Sequence, residues 1–365
     1  MAMDFIKEFK SSLKKMDIDE GSSEPPRYWF SSGNYVVNKT LSGSYVNYVP
    51  QGRVTALVGP SGAGKSFVLC NVLREAQKQG AYLVVLDSEN ALDDDFVSKI
   101  GVDVNTDYTY ISVDTIPQVT KVISAFIKGY KAEHGDNEDA PKVLIAIDSL
   151  DMLMTATEEE HFEKGITKGD QGQRSKQQKA MLRTFVQAIK HYNISMLVTA
   201  QVYKNQDLTN GEGVYIVSDA IKFSLSQISM LTKLKLRAEE VDHTGFKPVD
   251  GIRMKVEGYK TRFTKPFQTV TVEVPYETGM DPFNGLFDVA KAVGVIIPEG
   301  KRWKVEGSED LWYKADFNNV AGDVLVKLEA ARDKFLDAKI DDEDIEVETE
   351  ETSKKRREKK AKEKK

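Results

Sequence analysis

One stretch of the chain has the residue types and spacing that bind the phosphates of a nucleotide. It reads Gly59, Pro60, Ser61, Gly62, Ala63, Gly64, Lys65 and Ser66, the pattern of a Walker A loop. An apolar run precedes it and a segment with helical spacing follows, which is the strand-loop-helix context that the motif requires. Glycines let backbone N–H groups converge on phosphate oxygens, and the helix N-terminus adds its positive end. The pattern predicts a nucleoside triphosphate site in which Lys65 binds the β and γ phosphates and Ser66 ligates Mg²⁺.

Two acidic positions supply the remaining groups that hydrolysis of a triphosphate needs. Asp148 ends the apolar run 143–147 and has the position of a Walker B aspartate, which holds Mg²⁺ through water. Glu89 follows the run 82–86, where a carboxylate can polarise the attacking water. Each position also has a structural interpretation, since an acid at a strand end often starts a turn or caps a helix. Because the Walker A loop is present, we favour the catalytic interpretation.

The segments that must position these residues alternate between short apolar runs and longer helical stretches. The runs are 54–58, 82–86, 108–113, 143–147 and 195–199, and the helical stretches between them include 65–79, 117–133 and 173–191. This pattern predicts an α/β fold with a mostly parallel sheet and helices on both faces. After residue 226, three strand-like runs (228–236, 252–259 and 269–274) follow one another without helices, which predicts antiparallel strands on one edge.

Breaker residues and charge blocks divide the chain into four predicted parts. They are an N-terminal helical arm (1–26), an ATPase core (27–280), a small C-terminal α+β domain (281–340) and a disordered charged tail (341–365). The arm either packs on its own domain or docks on a neighbouring subunit. In the small domain we expect a helix over 284–293, a strand-like pair around Trp303 and Trp312, and a final helix from Ala321.

Composition excludes several classes of protein. The chain of 365 residues is 40% hydrophobic and 30% charged, with a formal net charge of -6, so it does not bind nucleic acid by being basic throughout. Its one cysteine permits no internal disulfide. The charged N-terminus lacks a signal-peptide apolar block, and no run approaches the roughly 18 apolar residues that span a bilayer. These features predict a cytoplasmic protein.

The Walker A loop and further motifs in the same order resemble the RecA-type recombinases, and most closely the bacteriophage UvsX branch. The resemblance covers about residues 30–315 and rests on SENALD (88–93), IDS (147–149), TAQ (199–201), AIKF (220–223), KTR (260–262), KPF (265–267) and DPFNGLFD (281–288). Each motif is weak by itself, but their order and spacing together are specific. The resemblance implies a RecA-like P-loop ATPase core that uses ATP and Mg²⁺.

The resemblance also implies roles for individual residues. Glu89 is then the catalytic glutamate and Asp148 the Mg²⁺-associated acid. Gln201 senses the γ-phosphate and passes the signal to a DNA loop, a task that suits an amide because it can both donate and accept hydrogen bonds. Asp93 and Tyr276 match positions that touch the nucleotide base. Each of these three residues also has a structural alternative. Gln201 could be an amide that caps a strand end, Asp93 could start a helix, and Tyr276 could be a core aromatic.

Two basic residues have the alternate spacing that puts both on one face of a strand. They are Lys260 and Arg262. The resemblance implies that this pair reaches the ATP of the adjacent subunit, where cations offset the charge that develops on the transferred phosphoryl group. By the same resemblance Phe223 lies at the subunit interface. The alternative is that the two cations are simply solvated strand charges.

Two long segments, 163–174 and 202–218, follow the strands that carry Asp148 and Gln201, and they match the two DNA-binding loops of the resembling family. Their candidate DNA-binding residues are Lys164, Lys168, Arg174, Lys176, Tyr203 and Lys204. Ammonium and guanidinium groups bind phosphates, and aromatic rings stack on bases. Neighbouring acids weaken the positive field, so each subunit is expected to bind weakly. Flexible surface loops are the alternative.

The resemblance predicts an ATP-dependent DNA recombinase that forms a filament on single-stranded DNA and catalyses homologous pairing and strand exchange. Its expected partners are single- and double-stranded DNA, further copies of the chain, a phage single-strand-binding protein and a recombination mediator. Two alternatives stay open from the sequence. One is a ring-forming helicase motor on the same fold, and the other is a regulatory ATPase switch that does not bind DNA.

Overall fold

Helices and strands alternate along the chain much as the sequence pattern predicts. The computed structural model describes residues 2–16, 25–135, 137–166, 172–205, 214–237 and 249–331. Lys168 and the predicted tail 341–365 lie outside these ranges. In chain order the elements are α1 (Ala2–Lys15), β1 (Trp29–Phe30), α2 (Tyr35–Ser42), β2 (Val49–Pro50), β3 (Val54–Val58), α3 (Lys65–Lys78), β4 (Tyr82–Asp87), α4 (Asp94–Ile100), β5 (Tyr108–Ser112), α5 (Ile116–His134), β6 (Val143–Asp148), α6 (Ala156–Glu163), α7 (Gln173–Ile189), β7 (Ile194–Ala200), β8 (Tyr203–Lys204), β9 (Tyr215–Ile216), α8 (Asp219–Ser224), β10 (Gln227–Arg237), β11 (Val249–Lys260), β12 (Thr269–Pro275), α9 (Leu286–Val293), β13 (Ile296–Glu299), β14 (Arg302–Val305) and α10 (Phe317–Ala330).

The main sheet has, within the described residues, eight strands in the order β12-β11-β10-β3-β7-β6-β4-β5. All neighbours from β10 to β5 are parallel, and β11 and β12 add antiparallel strands at one edge. The predicted fold class is therefore confirmed. One detail differs from the prediction, because β10 still pairs in parallel with β3 and the direction reverses only at β11. The hydrophobic pattern could not show this, since apolar strands of either direction look alike in sequence.

Apolar side chains cover both faces of the central strands. Every residue of β3, β6 and β7 is buried, as expected for parallel strands between two helical layers. Alternate residues such as Ala56, Ile145 and Val198 pack with apolar side chains of α5 and α7. Helix α3 packs against β3, β4, β6 and β7. The sheet therefore holds the carboxyl ends of β3, β4, β6 and β7 side by side, where the predicted phosphate-binding and acidic residues follow.

The chain divides into two compact units, Met1–Gly285 and Leu286–Lys365. The second unit holds α9, the β13–β14 pair and α10, and the rings of Trp303, Trp312 and Phe317 surround Phe287. Strand β14 pairs with β13, and the predicted pairing around Trp303 and Trp312 is present as a single antiparallel bridge between these two residues. The final helix begins at Phe317 instead of Ala321, because Phe317 is itself a buried anchor. None of the helices in the described ranges combines the length and apolar composition needed to cross a membrane.

Candidate nucleotide site

The Walker A sequence forms a tight loop between β3 and α3. Gly59 donates its N–H to the carbonyl of Ala200 at 3.2 Å, which ties the loop to the end of β7. A side chain at Gly59 would clash with the carbonyl oxygen of Leu231, so only glycine fits there. Gly64 has φ 95° and begins α3 without a side-chain cap, which leaves the helix N-terminus open to an anion. The backbone thus has the form that the sequence predicts for phosphate binding.

Lys65 is buried beneath this loop. Its Nζ donates to the carbonyl oxygens of Gly59 and Pro60 at 3.0 and 3.1 Å. Burial lowers the pKa of the ammonium, and the nearby carboxylates of Glu89, Asp148 and Asp151 oppose that shift. The structure therefore gathers the predicted phosphate-binding lysine and both predicted catalytic acids around one point at the edge of the sheet.

Asp148 ends β6 with a carboxylate that has one free oxygen. The Thr199 hydroxyl donates to its Oδ1, whereas its Oδ2 is buried with no hydrogen-bond partner among the described residues. Burial raises the pKa of Asp148, and the hydroxyls of Ser66 and Thr199 partly oppose this. An unpartnered buried oxygen beside Ser66 fits Mg²⁺, a hard cation that takes oxygen ligands and keeps several waters. The residues predicted to hold the metal are therefore suited to it.

Glu89 is fixed in position by a turn that follows β4. Asp87 is fully buried, and its carboxylate accepts the N–H groups of Glu89 and Leu92, both at 2.9 Å. The exposed Glu89 carboxylate accepts a hydrogen bond of 2.6 Å from the Ser149 hydroxyl. Strands β4 and β6 pair in parallel with Asp87 level with Asp148, so Glu89 and Asp148 lie at adjoining strand ends. The anchoring role of Asp87 is clear only from the structure.

Gln201 follows β7 and is held by an acid that the sequence analysis missed. Its N–H donates to Asp151 Oδ2 at 2.5 Å. The preceding residue, Ala200, accepts the N–H of Gly59, so the predicted sensor is one residue from a backbone contact with the Walker A loop. Asp151 follows Asp148 by three residues in the sequence Asp148-Ser-Leu-Asp151, which was the only local signal for it.

The two predicted base-contact residues lie in different settings. Asp93 caps α4 by accepting the N–H of Phe96 at 2.7 Å, which matches the helix-start alternative. Tyr276 follows β12 and is 66% exposed, so it is not a core aromatic. Three residues later, Gly279 lies near the ring of Phe67 in the first turn of α3. The segment that carries Tyr276 therefore runs close to the Walker A helix, whereas contact of either residue with a base stays a prediction.

Lys260 and Arg262 do not join this group of residues. Lys260 pairs with Ile228, which is level with Ala56, so it lies about 10 Å back along the strand direction from Gly59. Its Nζ donates to the carbonyl of Lys222 in α8 at 2.5 Å. Arg262 is exposed and follows the end of β11 by two residues. Lys260 is thus level with the middle of β3 and two strands away from it, apart from the chain's own phosphate loop.

Phe223 lies in α8, next to the residue that Lys260 contacts. Its ring is 65% exposed and lies 5.4 Å from the Nζ of Lys179 in α7. Phe223 and the two cations therefore share one outer region of the first unit. An exposed aromatic ring beside cations is suited to contact with another protein molecule.

The predicted DNA-binding residues fall into two groups. Lys164 forms an ion pair with Glu160, and Arg174 with Glu158, so acids offset part of their charge. Lys176, Tyr203 and Lys204 are exposed. The described ends of the segments belong to regular elements: residue 163 to α6, residue 174 to α7, and residues 203–204 pair with 215–216 as β8 and β9. Local hydrogen bonding that the composition does not show accounts for this regularity.

Lys233 is a further cation at the phosphate loop that the sequence analysis did not identify. It belongs to β10, and its Nζ would be only 2.5 Å from a Cβ atom placed on Gly62. Gly62 has φ 67° and no side chain, so the ammonium has direct access to the loop. Its positive charge also lowers the pKa of Lys65. This contact depends on the register of β10 against β3, for which the sequence gives no signal.

Replacement of Lys233 by methionine is expected to weaken binding of a nucleoside triphosphate about fivefold, because a partly solvated ion pair contributes about 1 kcal/mol. Titration of a fluorescent ATP analogue measures the effect. Lys235→Met, two residues farther along the same strand, is the matched control. Equal affinities of wild type and Lys233→Met would exclude the contact with phosphate.

The chain is similar to RecA proteins over most of its length. The RecA N-terminal domain family matches residues 10–281. Protein RecA from Aquifex pyrophilus is 28% identical over 274 residues, which cover 73% of this chain and 71% of the relative. Protein RecA from Thermus aquaticus is 27% identical over 261 residues (69% of each chain), and that from Synechococcus sp. (strain CC9902) is 24% identical over 284 residues (76% of this chain and 68% of the relative). With three quarters of its residues in the matched domain and its phosphate loop, strand-end acids and sheet order in place, the chain belongs to the RecA family.

Proposed function

We propose that this protein is an ATP-dependent DNA recombinase that assembles as a filament on single-stranded DNA and catalyses homologous pairing and strand exchange. RecA family proteins are in general DNA-dependent ATPases that use ATP with Mg²⁺. The observation that carries the proposal is the separation between two sets of residues. Lys65, Glu89 and Asp148 meet at one edge of the sheet, whereas Lys260 is level with the middle of β3 and two strands away from it, and Arg262 follows the end of β11. A neighbouring protomer is therefore proposed to complete each site.

The residues at the phosphate loop can each take one role in the hydrolysis of ATP. The loop amides and Lys65 bind and orient the phosphates, and Ser66 and Asp148 are suited to hold Mg²⁺, which when bound neutralises charge on the phosphate oxygens. Glu89 is placed to accept hydrogen bonds from an attacking water. Its carboxylate is oriented by Ser149, and Asp87 fixes the backbone of the turn that carries it. Lys260 and Arg262 of the next protomer supply positive charge in the transition state.

DNA binding is proposed to occur at the segments that follow β6 and β7. Glutamates offset part of the positive charge there, since Lys164 and Arg174 form ion pairs with them. A filament repeats the same contacts along one strand of DNA, so avidity raises the affinity without stronger individual sites. Both segments begin close to the nucleotide site, which allows nucleotide binding to influence DNA binding.

The branch and the cellular partners are proposed from the sequence motifs. The order of the motifs supports a place in the bacteriophage UvsX branch, which implies action in the cytoplasm of the host cell. A phage single-strand-binding protein and a recombination mediator are the corresponding accessory proteins. Strand-exchange assays with and without such proteins from a candidate source phage test this part of the proposal.

Strand exchange between a homologous duplex and a single strand is the direct test of the proposed function. Product is expected with homologous but not with heterologous duplex, and only with ATP. Electron microscopy with single-stranded DNA and a slowly hydrolysed ATP analogue is expected to show helical filaments. Closed hexameric rings without strand exchange would instead favour a helicase motor.

DNA affinity is expected to fall steeply with salt, because binding releases counterions from the phosphate backbone. Fluorescence anisotropy with a labelled oligonucleotide measures the affinity between about 50 and 200 mM salt. Affinity for single strands should follow a straight line in a double-logarithmic plot. Absence of any salt-dependent binding would favour a regulatory ATPase switch and contradict the proposal.

A further inference from the structure

Asp151 contacts elements that belong to both the nucleotide site and the predicted DNA-binding segments. It lies in the 3₁₀ turn Leu150–Met152, directly after β6. Its Oδ2 accepts the N–H of Gln201 at 2.5 Å, and its carbonyl oxygen accepts a hydrogen bond of 3.3 Å from Arg174 Nη1. Gln201 leads into the second predicted DNA segment, and Arg174 ends the first. One residue therefore joins the bases of both segments.

The charges around Asp151 come from both sites as well. Burial raises the pKa of its carboxyl group, and the Gln201 amide and the cations Lys65 and Arg174 oppose this shift. Glu89 adds a repulsive negative charge from the nucleotide site. On the other side, burial raises the pKa of Tyr203, and the negative charge of Asp151 adds to this rise. The carboxylate is thus stabilised by the charge of one cation at the phosphate loop and of another at the first DNA segment.

We propose that Asp151 is a positioning residue that couples nucleotide binding to DNA binding through the charge of its carboxylate, which is hydrogen-bonded to Gln201, and through its backbone contact with Arg174. The inference rests on the proposed function and names a residue through which the two sites communicate. Lys65 cannot neutralise Asp151 fully while it also binds phosphate oxygens. The Asp151 carboxylate is then stabilised more by the charge of Arg174. Its hydrogen bond to Gln201 transmits the resulting movement to the second segment.

The physical basis is competition for one ammonium group in a partly buried setting. Charges interact more strongly there than in water, so the loss of a counter-charge has a large effect on the carboxylate. Nucleotide binding can change the arrangement of the two DNA segments only if the nucleotide binds one arrangement more tightly than the other. Asp151 provides that difference because its negative charge interacts with the ammonium of Lys65, while its carboxylate is hydrogen-bonded to Gln201. Removal of its charge, with the hydrogen bond kept, should uncouple the sites.

Asp151→Asn tests the inference, because asparagine can still accept the Gln201 N–H but carries no charge. The affinity for a fluorescent oligonucleotide is measured with ADP and with a slowly hydrolysed ATP analogue, and the ratio of the two dissociation constants is the coupling. For wild type we expect a ratio within about 5 to 150. Asp151→Asn should bring it close to one, and Asp151→Glu, which keeps the charge, should retain most of it.

Controls separate coupling from a merely structural role. Glu159→Gln removes a negative charge from α6 and should leave the ratio at its wild-type value. The reciprocal measurement, nucleotide affinity with and without DNA, must give the same coupling by thermodynamic linkage. Asp151→Ser, a second neutral variant, provides the same test should the asparagine variant not fold.

Two outcomes would overturn the inference, and they are distinguishable. If the wild-type ratio is above one and Asp151→Asn leaves it unchanged, the inference alone is overturned. This includes the case in which the substitution raises both dissociation constants by the same factor. Wild-type protein that binds no DNA with either nucleotide overturns the proposed function and the inference together.

Discussion

Replacement of Lys65 by alanine is expected to lower DNA-stimulated ATP hydrolysis by about 10²- to 10³-fold, the loss typical for one preorganised electrostatic group. Lys65 is the buried cation at the phosphate loop, and the carboxylates of Glu89, Asp148 and Asp151 surround it. Without its ammonium these acids would repel a triphosphate instead of sharing a cation with it. Phosphate release at saturating single-stranded DNA measures the loss.

Lys78→Ala is the matched control, because Lys78 is an exposed lysine in the last turn of the same helix. Its hydrolysis rate should stay within about twofold of wild type, as expected for a surface change. Thermal unfolding of both variants checks that the fold is intact. DNA-stimulated hydrolysis that survives in Lys65→Ala would show that the nucleotide site has been assigned wrongly.

Replacement of Arg262 by alanine is expected to lower hydrolysis by about 10³-fold, as for an arginine that acts from a neighbouring molecule. The decisive measurement mixes this variant with Lys65→Ala in equal amounts. Each variant lacks a different half of the proposed shared site. In random assembly about a quarter of the junctions place an intact loop against intact cations, so hydrolysis should recover to about that fraction.

A mixture of Lys65→Ala with Glu89→Gln is the control for this recovery. Both changes lie at the phosphate-loop end of the sheet, so no junction between these variants is complete. This mixture should remain inactive. Full activity of Arg262→Ala alone, or no recovery when it is mixed with Lys65→Ala, would contradict a site completed by two protomers.

The sequence predicted the parts of the site that depend on short-range spacing. The Walker A loop, the strand that ends at Asp148 and the acid after β4 are each set by a run of neighbouring residues, so their patterns are visible without the fold. The same holds for the alternation of strands and helices. The reversal of strand direction at β11 was placed one strand too early, because apolar runs do not reveal pairing partners.

Three other residues at the site could not be predicted, for a shared physical reason. Lys233 reaches Gly62 only through the register of β10 against β3. Asp151 gains its role from Gln201 and Arg174, which are 50 and 23 residues away in sequence. The buried carboxylate of Asp87 holds a turn that the sequence pattern marks only as acidic. Contacts of this kind depend on tertiary packing, which no local pattern encodes.

The separation of Lys260 and Arg262 from the phosphate loop gives the proposed assembly unequal ends. At one terminus the last protomer presents an uncovered phosphate loop, and at the other it presents unused cations. The protomer with the uncovered loop can hold a nucleotide but is slow to cleave it. Turnover per protomer should therefore rise with polymer length and approach a plateau, and subunits should leave the two termini at different rates.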